Sequence, residues 1–220
     1  MRLQSLFSSA VLGLALLGAW SPLPGVGAQQ AAETPGAAVL EGQEPACYLA
    51  RGTMEEAAQR PSPLTATAVI LGGQAGKLCY GSPSANNRTV MGELVPFGEP
   101  WRMGANEATA LHLPFPAVVG DIHLAPGSYS LYAVPRMQEW EIVVNRSAER
   151  WGVPINPGVR EADAGSFTVP AQSLDDMVER LTFRWEAQDE NSGRLVMEWE
   201  RTRIEIPVSR SGAQGPIPPG

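Results

Sequence analysis

The chain has 220 residues, which suits one domain with tails, and its 23 acidic and 16 basic residues give a net charge of −7. Nucleic acids and anionic membranes attract positively charged protein surfaces, so this charge balance argues against both as partners.

Residues 1–28 have the pattern of a secretory signal peptide. Arg2 precedes an apolar run at residues 6–20, and the small residues Val26-Gly27-Ala28 suit cleavage by signal peptidase. We therefore expect an exported protein, periplasmic or secreted; the alternative is an uncleaved N-terminal anchor. No later apolar run approaches the ~18 residues of a membrane span, so we expect no membrane insertion of the mature protein.

Residues 29–62 are rich in Ala, Gln, Glu, Gly and Pro, which predicts a flexible linker. Good helix formers at residues 54–60 allow one short helix there. Cys47 and Cys79 are the two cysteines, and in an exported chain they predict a disulfide. Closing a loop of about 33 residues would contribute roughly 3–4 kcal/mol. A reactive or metal-binding thiol pair is the alternative, but no CxxC spacing or neighbouring histidine supports it.

From residue 63 onward, turn signals separate short segments that alternate with the period of a β-strand. Residues 65–71 and 77–80 predict a hairpin with a turn at 72–76, and Gly120-Asp121 predicts a second tight turn. Residues 147–165 look irregular, with at most one helical turn near 148–151. Further strands are predicted at residues 109–113, 118–119, 122–124, 128–134, 139–144 and 166–170.

The last part of the domain has the clearest strand pattern. Apolar residues occupy alternate odd positions at 181–185 and 195–199, and alternate even positions at 204–208. A strand cannot change face without a bulge or a bend, so we predict an irregularity within residues 200–203. The domain should span residues 63–208 and be followed by a disordered tail at 209–220.

Eight or more short strands with almost no long helix predict an all-β fold. We expect an antiparallel β-sandwich or a jelly-roll-like fold, with a short N-terminal helix at most.

Four residues between positions 100 and 108 could form a site. Trp101 could stack on a ligand, and Arg102 could bind an anion. Asn106 could orient a polar ligand, and Glu107 could serve as an acid or base. The alternative is structural: Arg102 pairs with Glu107, Trp101 fills the sandwich and Asn106 caps a turn.

The two histidines, His112 and His123, lie on strand faces opposite to apolar neighbours, so we expect both to be exposed to solvent. They could share a metal only if their strands were adjacent, and we predict no metal site. The sequence contains no HExxH, GxSxG, Walker or GxGxxG motif. Ser128 and the other candidate serines, Ser82 and Ser84, have no evident histidine and acid beside them.

A set of short segments carries a resemblance to a known family: Ser82-Pro83, Arg88, residues 94–98, residues 101–109, residues 126–131, Glu139-Trp140 and residues 198–203. They resemble the bacterial exported domain of unknown function DUF2911 over roughly residues 63–208. The resemblance implies a mostly β domain without assigned activity. The sequence departs from the family pattern at His112 and His123.

Three functions remain open at this point. The first is a non-catalytic binding module for a glycan, a peptide or an envelope component, with Arg88, Trp101, Arg102, Asn106 and Glu107 as candidate ligand-binding residues. The second is an envelope hydrolase that uses Glu107 as acid or base and Arg102 as oxyanion partner. The third is a purely structural module. For each we expect a monomer without a cofactor.

Overall fold

A computed structural model of the chain describes residues 45–212. The predicted signal peptide at 1–28, residues 29–44 of the predicted linker and residues 213–220 lie outside the described residues. Within the described part, no helix is long and apolar enough to cross a membrane. The helices are α1 (Met54–Ala58) and α2 (Pro157–Arg160), and the strands are β1 (Leu64–Leu71), β2 (Gln74–Gly81), β3 (Ala105–Leu113), β4 (Ala117–Val119), β5 (Ile122–Leu124), β6 (Gly127–Pro135), β7 (Glu139–Asn145), β8 (Asp163–Pro170), β9 (Gln172–Ala187) and β10 (Ser192–Arg210).

The strands form two antiparallel sheets. One has six strands in the order β1-β2-β3-β6-β7-β8, and the other has four in the order β5-β4-β10-β9. Apolar side chains from both sheets form one core, which includes Leu111, Leu131, Trp140, Leu195 and Ile206. This arrangement confirms the predicted all-β antiparallel sandwich.

The first hairpin is tighter than the sequence suggested. β1 and β2 pair continuously from Leu64–Gly81 to Leu71–Gln74, so the turn contains only Gly72 and Gly73. Both glycines have positive φ (57° and 73°), which a two-residue hairpin turn requires and which glycine adopts without strain. The predicted five-residue turn was therefore wrong, because Gln74, Ala75 and Gly76 already belong to β2.

The predicted change of face in the last strand is confirmed, and its cause is a reversal of direction. β10 pairs with β9 from Gly193 to Glu198, and its register shifts on either side of Glu200, whose φ is +57°. The ends of β10 lie side by side: Arg210 N–H donates to Asn191 O at 2.8 Å. Arg194 and Glu205 form an ion pair at 2.7 Å, although eleven extended residues would span roughly 36 Å. β10 therefore folds back on itself near Glu200.

Three predicted boundaries differ from the structure. The helical turn expected near 148–151 is instead α2, which begins after Asn156; the Asn156 side chain accepts a hydrogen bond from Val159 N–H, and Pro157 takes the first helical position. β10 continues to Arg210, two residues beyond the predicted domain end. β9 begins at Gln172, nine residues before the predicted strand, because residues 172–180 are mostly exposed on both faces and show no apolar alternation.

The segment before β1 lies against the outer face of the six-stranded sheet. Cys47 and Cys79 form the predicted disulfide, with their Cα atoms 5.7 Å apart. α1 follows with a capping box, in which Thr53 and Glu56 each bind the other's backbone N–H. The segment is thus attached to β2 covalently, and it also reaches β3 through the contacts described below.

Candidate functional site

Trp101 is half-buried and packs against the core. Its backbone exchanges two hydrogen bonds with Ala133 of β6, at 2.7 and 2.8 Å. Its indole meets Trp140 edge-on at 5.8 Å between ring centroids and stacks on Trp199 at 6.0 Å. The aromatic face that the sequence offered to a ligand is therefore used to join the two sheets.

Asn106 shapes the backbone at the entry to β3. It adopts a left-handed conformation (φ 63°), which asparagine tolerates better than most residues. Its side-chain amide donates to Ser62 O at 3.1 Å, and its carbonyl accepts from Gly152 N–H at 2.8 Å. Asn106 thus holds three chain segments together, which is a structural role.

Glu107 is buried, with 2% of its surface exposed. Both carboxylate oxygens accept hydrogen bonds from Arg60 Nη1, at 2.9 and 3.1 Å, and one also accepts from Ala50 N–H at 3.2 Å. The expected partner, Arg102, does not pair with it. No local sequence pattern points to Arg60, because it lies 47 residues away in the segment predicted as linker.

Arg102 points away from Trp101, as consecutive residues of an extended chain do, and lies across Gly152. A Cβ atom at Gly152 would come within 2.2 Å of Arg102 Cδ, so the close approach requires glycine. Arg102 is partly buried, and its Nε is buried without a hydrogen-bond partner. Burial lowers the pKa of its guanidinium, with no carboxylate opposing the shift. Within residues 45–212, Arg102 forms no ion pair and no hydrogen bond, while its terminal nitrogens are not buried.

Arg88 is separate from the other candidates. Its guanidinium donates to Ala85 O and Ser84 O, both at 2.9 Å, and braces the loop after β2. The five predicted ligand-binding residues therefore do not converge on one pocket. Trp101 packs against the core, Asn106 and Glu107 hold the segments around β3, and Arg88 stabilises its own loop. Of the five, Arg102 is the one without a hydrogen-bond or ion-pair partner among residues 45–212.

A shallow cleft lies beside the loop that precedes Trp101. Phe97 and Met137 line it with Arg136, and its volume is 50 Å³. Pockets for small organic ligands usually enclose about 300–1,000 Å³, so this cleft could hold only one small group.

His112 contradicts the expectation of an exposed side chain, since only 4% of its surface is accessible. Its Nδ1 lies 2.7 Å from Ser128 Oγ, so Ser128 has a neighbouring histidine, although not the histidine and acid together that a triad requires. Desolvation lowers the pKa of His112; Glu149 opposes this shift, and Lys77 adds to it. His112 Nε2 is buried without a partner, so no carboxylate completes a serine–histidine–acid triad.

The second histidine, His123, is exposed on β5 in the other sheet, so the two cannot share a metal. Among the described residues, no group of three or more His, Cys, Asp or Glu side chains could hold a metal ion.

A polar network covers the same outer face beside His112. Tyr132 OH donates to Asp163 at 2.7 Å, and Asn145 donates to the other oxygen of that carboxylate at 2.7 Å. Burial and the Asp163 charge raise the pKa of Tyr132. Ser130 Oγ donates to Ser147 O at 2.9 Å. The network fastens residues 146–162 over the sheet, which explains why polar residues on this face are buried.

These features define an antiparallel β-sandwich domain whose motif residues mainly support the fold. The chain matches the family described as "Protein of unknown function (DUF2911)" over residues 62–208, and it belongs to that family. No curated protein and no solved structure matches the chain.

Proposed function

We propose that this protein is a non-catalytic binding module and that Arg102 receives an acidic group of its ligand. The carrying observation is the partly buried guanidinium without an acceptor in the described part of the chain. Burying a charge is unfavourable unless it is paired, and arginine's planar fork suits carboxylate, phosphate or sulfate groups. A ligand anion would supply the missing acceptor.

The neighbouring arginine supports this reading by contrast. Arg150 is also partly buried, and its guanidinium donates to the carbonyl oxygens of Ser147, Trp151 and Gly152 at 3.1–3.2 Å. Within residues 45–212, the surrounding backbone therefore supplies acceptors to Arg150 and none to Arg102. A purely structural role accounts for Trp101, Asn106 and Glu107 but gives no reason for an unpaired arginine.

The envelope hydrolase is less well supported. Glu107 would have to exchange a proton with a substrate, but both of its oxygens are occupied by Arg60 and the residue is 2% exposed. We propose further that the module is exported. The disulfide between Cys47 and Cys79 supports this, because such bonds persist in oxidising compartments.

The experiment compares ligand-induced changes in melting temperature for the wild-type protein, Arg102→Gln and a control, Arg88→Gln. The probes are sulfate, phosphate, an oligosaccharide of uronic acids and a peptide with a free carboxyl terminus, each with a neutral counterpart. At least one acidic probe should raise the melting temperature of the wild type and of Arg88→Gln, because binding to the folded state stabilises it. The increase should vanish in Arg102→Gln. Equal increases in all three proteins, or none with any acidic probe, would contradict the assignment.

A further inference from the structure

The edge strands of the two sheets differ in how they are protected against pairing with another chain. Unpaired N–H and C=O groups on an edge strand can bind an additional strand, and natural proteins usually blunt such edges with charges, prolines, bulges or short strands. The four edges here are β1 and β8 of the larger sheet and β5 and β9 of the smaller one.

Three of these edges are blunted. β5 has only three residues. β8 has a register shift opposite Val144 and Asn145 and ends in Pro170. On β9, Phe183 N–H donates to Tyr80 OH at 3.0 Å, and Phe183 O accepts from Thr67 Oγ1 at 2.7 Å. Side chains of the other sheet thus occupy the outward backbone groups of Phe183 on β9.

β1 has no such protection. Its eight residues, LTATAVIL, include no charge, proline or glycine, and its pairing with β2 is unbroken. Ser82 N–H donates to Pro63 O at 2.8 Å, so Pro63 and Ser82 form a hydrogen-bonded pair. Because such pairs alternate along an antiparallel ladder, the backbone groups of residues 65, 67, 69 and 71 bond to β2. The backbone groups of residues 64, 66, 68 and 70 point outward from the sheet edge. In the described part of the chain, no hydrogen bond satisfies those outward groups. Ala66, Ala68 and Ile70 are also exposed, Ile70 by 45%.

We propose that β1 binds an extended, uncharged segment of a partner polypeptide as an additional strand of the six-stranded sheet. The site is separate from Arg102 and does not depend on the function proposed for it. Main-chain hydrogen bonds would supply affinity, and small or apolar side chains would pack beside Ala66, Ala68 and Ile70.

The size of the edge favours a peptide segment over a second copy of this chain. Eight residues at about 3.3 Å each give an edge roughly 26 Å long, and a strip one strand (about 4.8 Å) wide covers roughly 125 Å². Stable protein pairs bury about 800 Å² per partner. A single added strand does not need that area, because its contacts are mainly the hydrogen-bond ladder.

The test uses random 12-residue peptides displayed on phage and selected on the whole protein. Selected peptides are then titrated against the wild type, Ala68→Pro and the matched control Ala68→Thr. Proline removes the outward N–H of residue 68, whereas threonine keeps it and suits a strand. Peptides should be uncharged in their binding segment, bind Ala68→Pro at least tenfold more weakly and bind Ala68→Thr within twofold of the wild type. Hydrogen exchange at Ala66 and Ala68 should slow only with peptide present.

If Ala68→Pro does not fold, Ala68→Lys replaces it with the same expected loss, because a charge on the edge opposes pairing. No enriched peptide, or equal binding to the wild type and the edge variants, would overturn the proposal. Sedimentation velocity provides the last outcome. A wild-type dimer that Ala68→Pro or Ala68→Lys abolishes would overturn the peptide assignment and show that a second copy occupies β1.

Discussion

Replacing Arg60 by Met should reduce the free energy of unfolding by about 3 kcal/mol. The change leaves the Glu107 carboxylate, 3% exposed as a side chain, with Ala50 N–H at 3.2 Å as its remaining donor. Breaking a buried ion pair by removing one partner costs about 3–5 kcal/mol, and the lower end applies because the Arg60 side chain is 20% exposed.

Replacing the other partner of the ion pair, Glu107, should cause a smaller loss in the free energy of unfolding. Glu107→Gln retains the shape and one acceptor, while Arg60 still donates to Arg51 O and reaches solvent, so we expect a loss of about 1–2 kcal/mol. Removing both charges in Arg60→Met/Glu107→Leu should recover stability to within about 1 kcal/mol of the wild type, because no unpaired charge remains buried.

Urea unfolding followed by tryptophan fluorescence measures all three variants, with Arg136→Met, at an exposed arginine, as the surface control. For a domain of this size, 3 kcal/mol corresponds to a melting temperature lower by about 6–12 °C. The reasoning is refuted if Arg60→Met costs no more than Glu107→Gln, or if the double variant loses the sum of the two single losses.

Three further predictions concern other parts of the domain. The lowered pKa of His112 means that the unfolded chain binds its proton more readily, so its contribution to stability is complete above about pH 6.5 and lost as pH falls below it; His112→Gln should flatten the decline in unfolding free energy between pH 7.5 and 5, and an unchanged slope would contradict this. Glu200 has φ +57° and its carboxylate accepts from Val90 N–H and Met91 N–H; Glu200→Ala should be less stable than Glu200→Gly by about 1 kcal/mol in urea, because both lose the carboxylate and only alanine retains the strain. The double change Cys47→Ser/Cys79→Ser opens a loop with a sequence separation of 32 and should lower the free energy of unfolding by about 3–4 kcal/mol relative to the oxidised wild type. Reduction of the wild-type disulfide should lower it by the same amount, and urea unfolding of both proteins measures the two losses.

The sequence predicts those parts of the fold in which one strand face meets the core. Alternation located the β1–β2 hairpin, and the change of apolar parity between Trp199 and Ile204 located the reversal at Glu200. The first half of β9 was missed because both of its faces are largely exposed and no hydrophobic pattern marks it.

The site was harder to predict for a different reason. The pattern around His112 shows only that it faces away from Leu111; it cannot show that residues 146–162 cover that face. Likewise, the residue types near Glu107 suggested Arg102 as its partner because it was close in sequence. The actual partner, Arg60, comes from a segment joined to β2 by the disulfide, a contact that no local pattern encodes.

The attachment of residues 45–60 bears on where this protein can be shortened. The family match begins at residue 62, which suggests a convenient starting point for expression. A protein that starts there would expose the Cys79 thiol and leave Glu107 buried without its arginine. We therefore expect a stable fragment to begin upstream of the family boundary, at or before Cys47, and we expect binding studies on shorter versions to report on a damaged sheet.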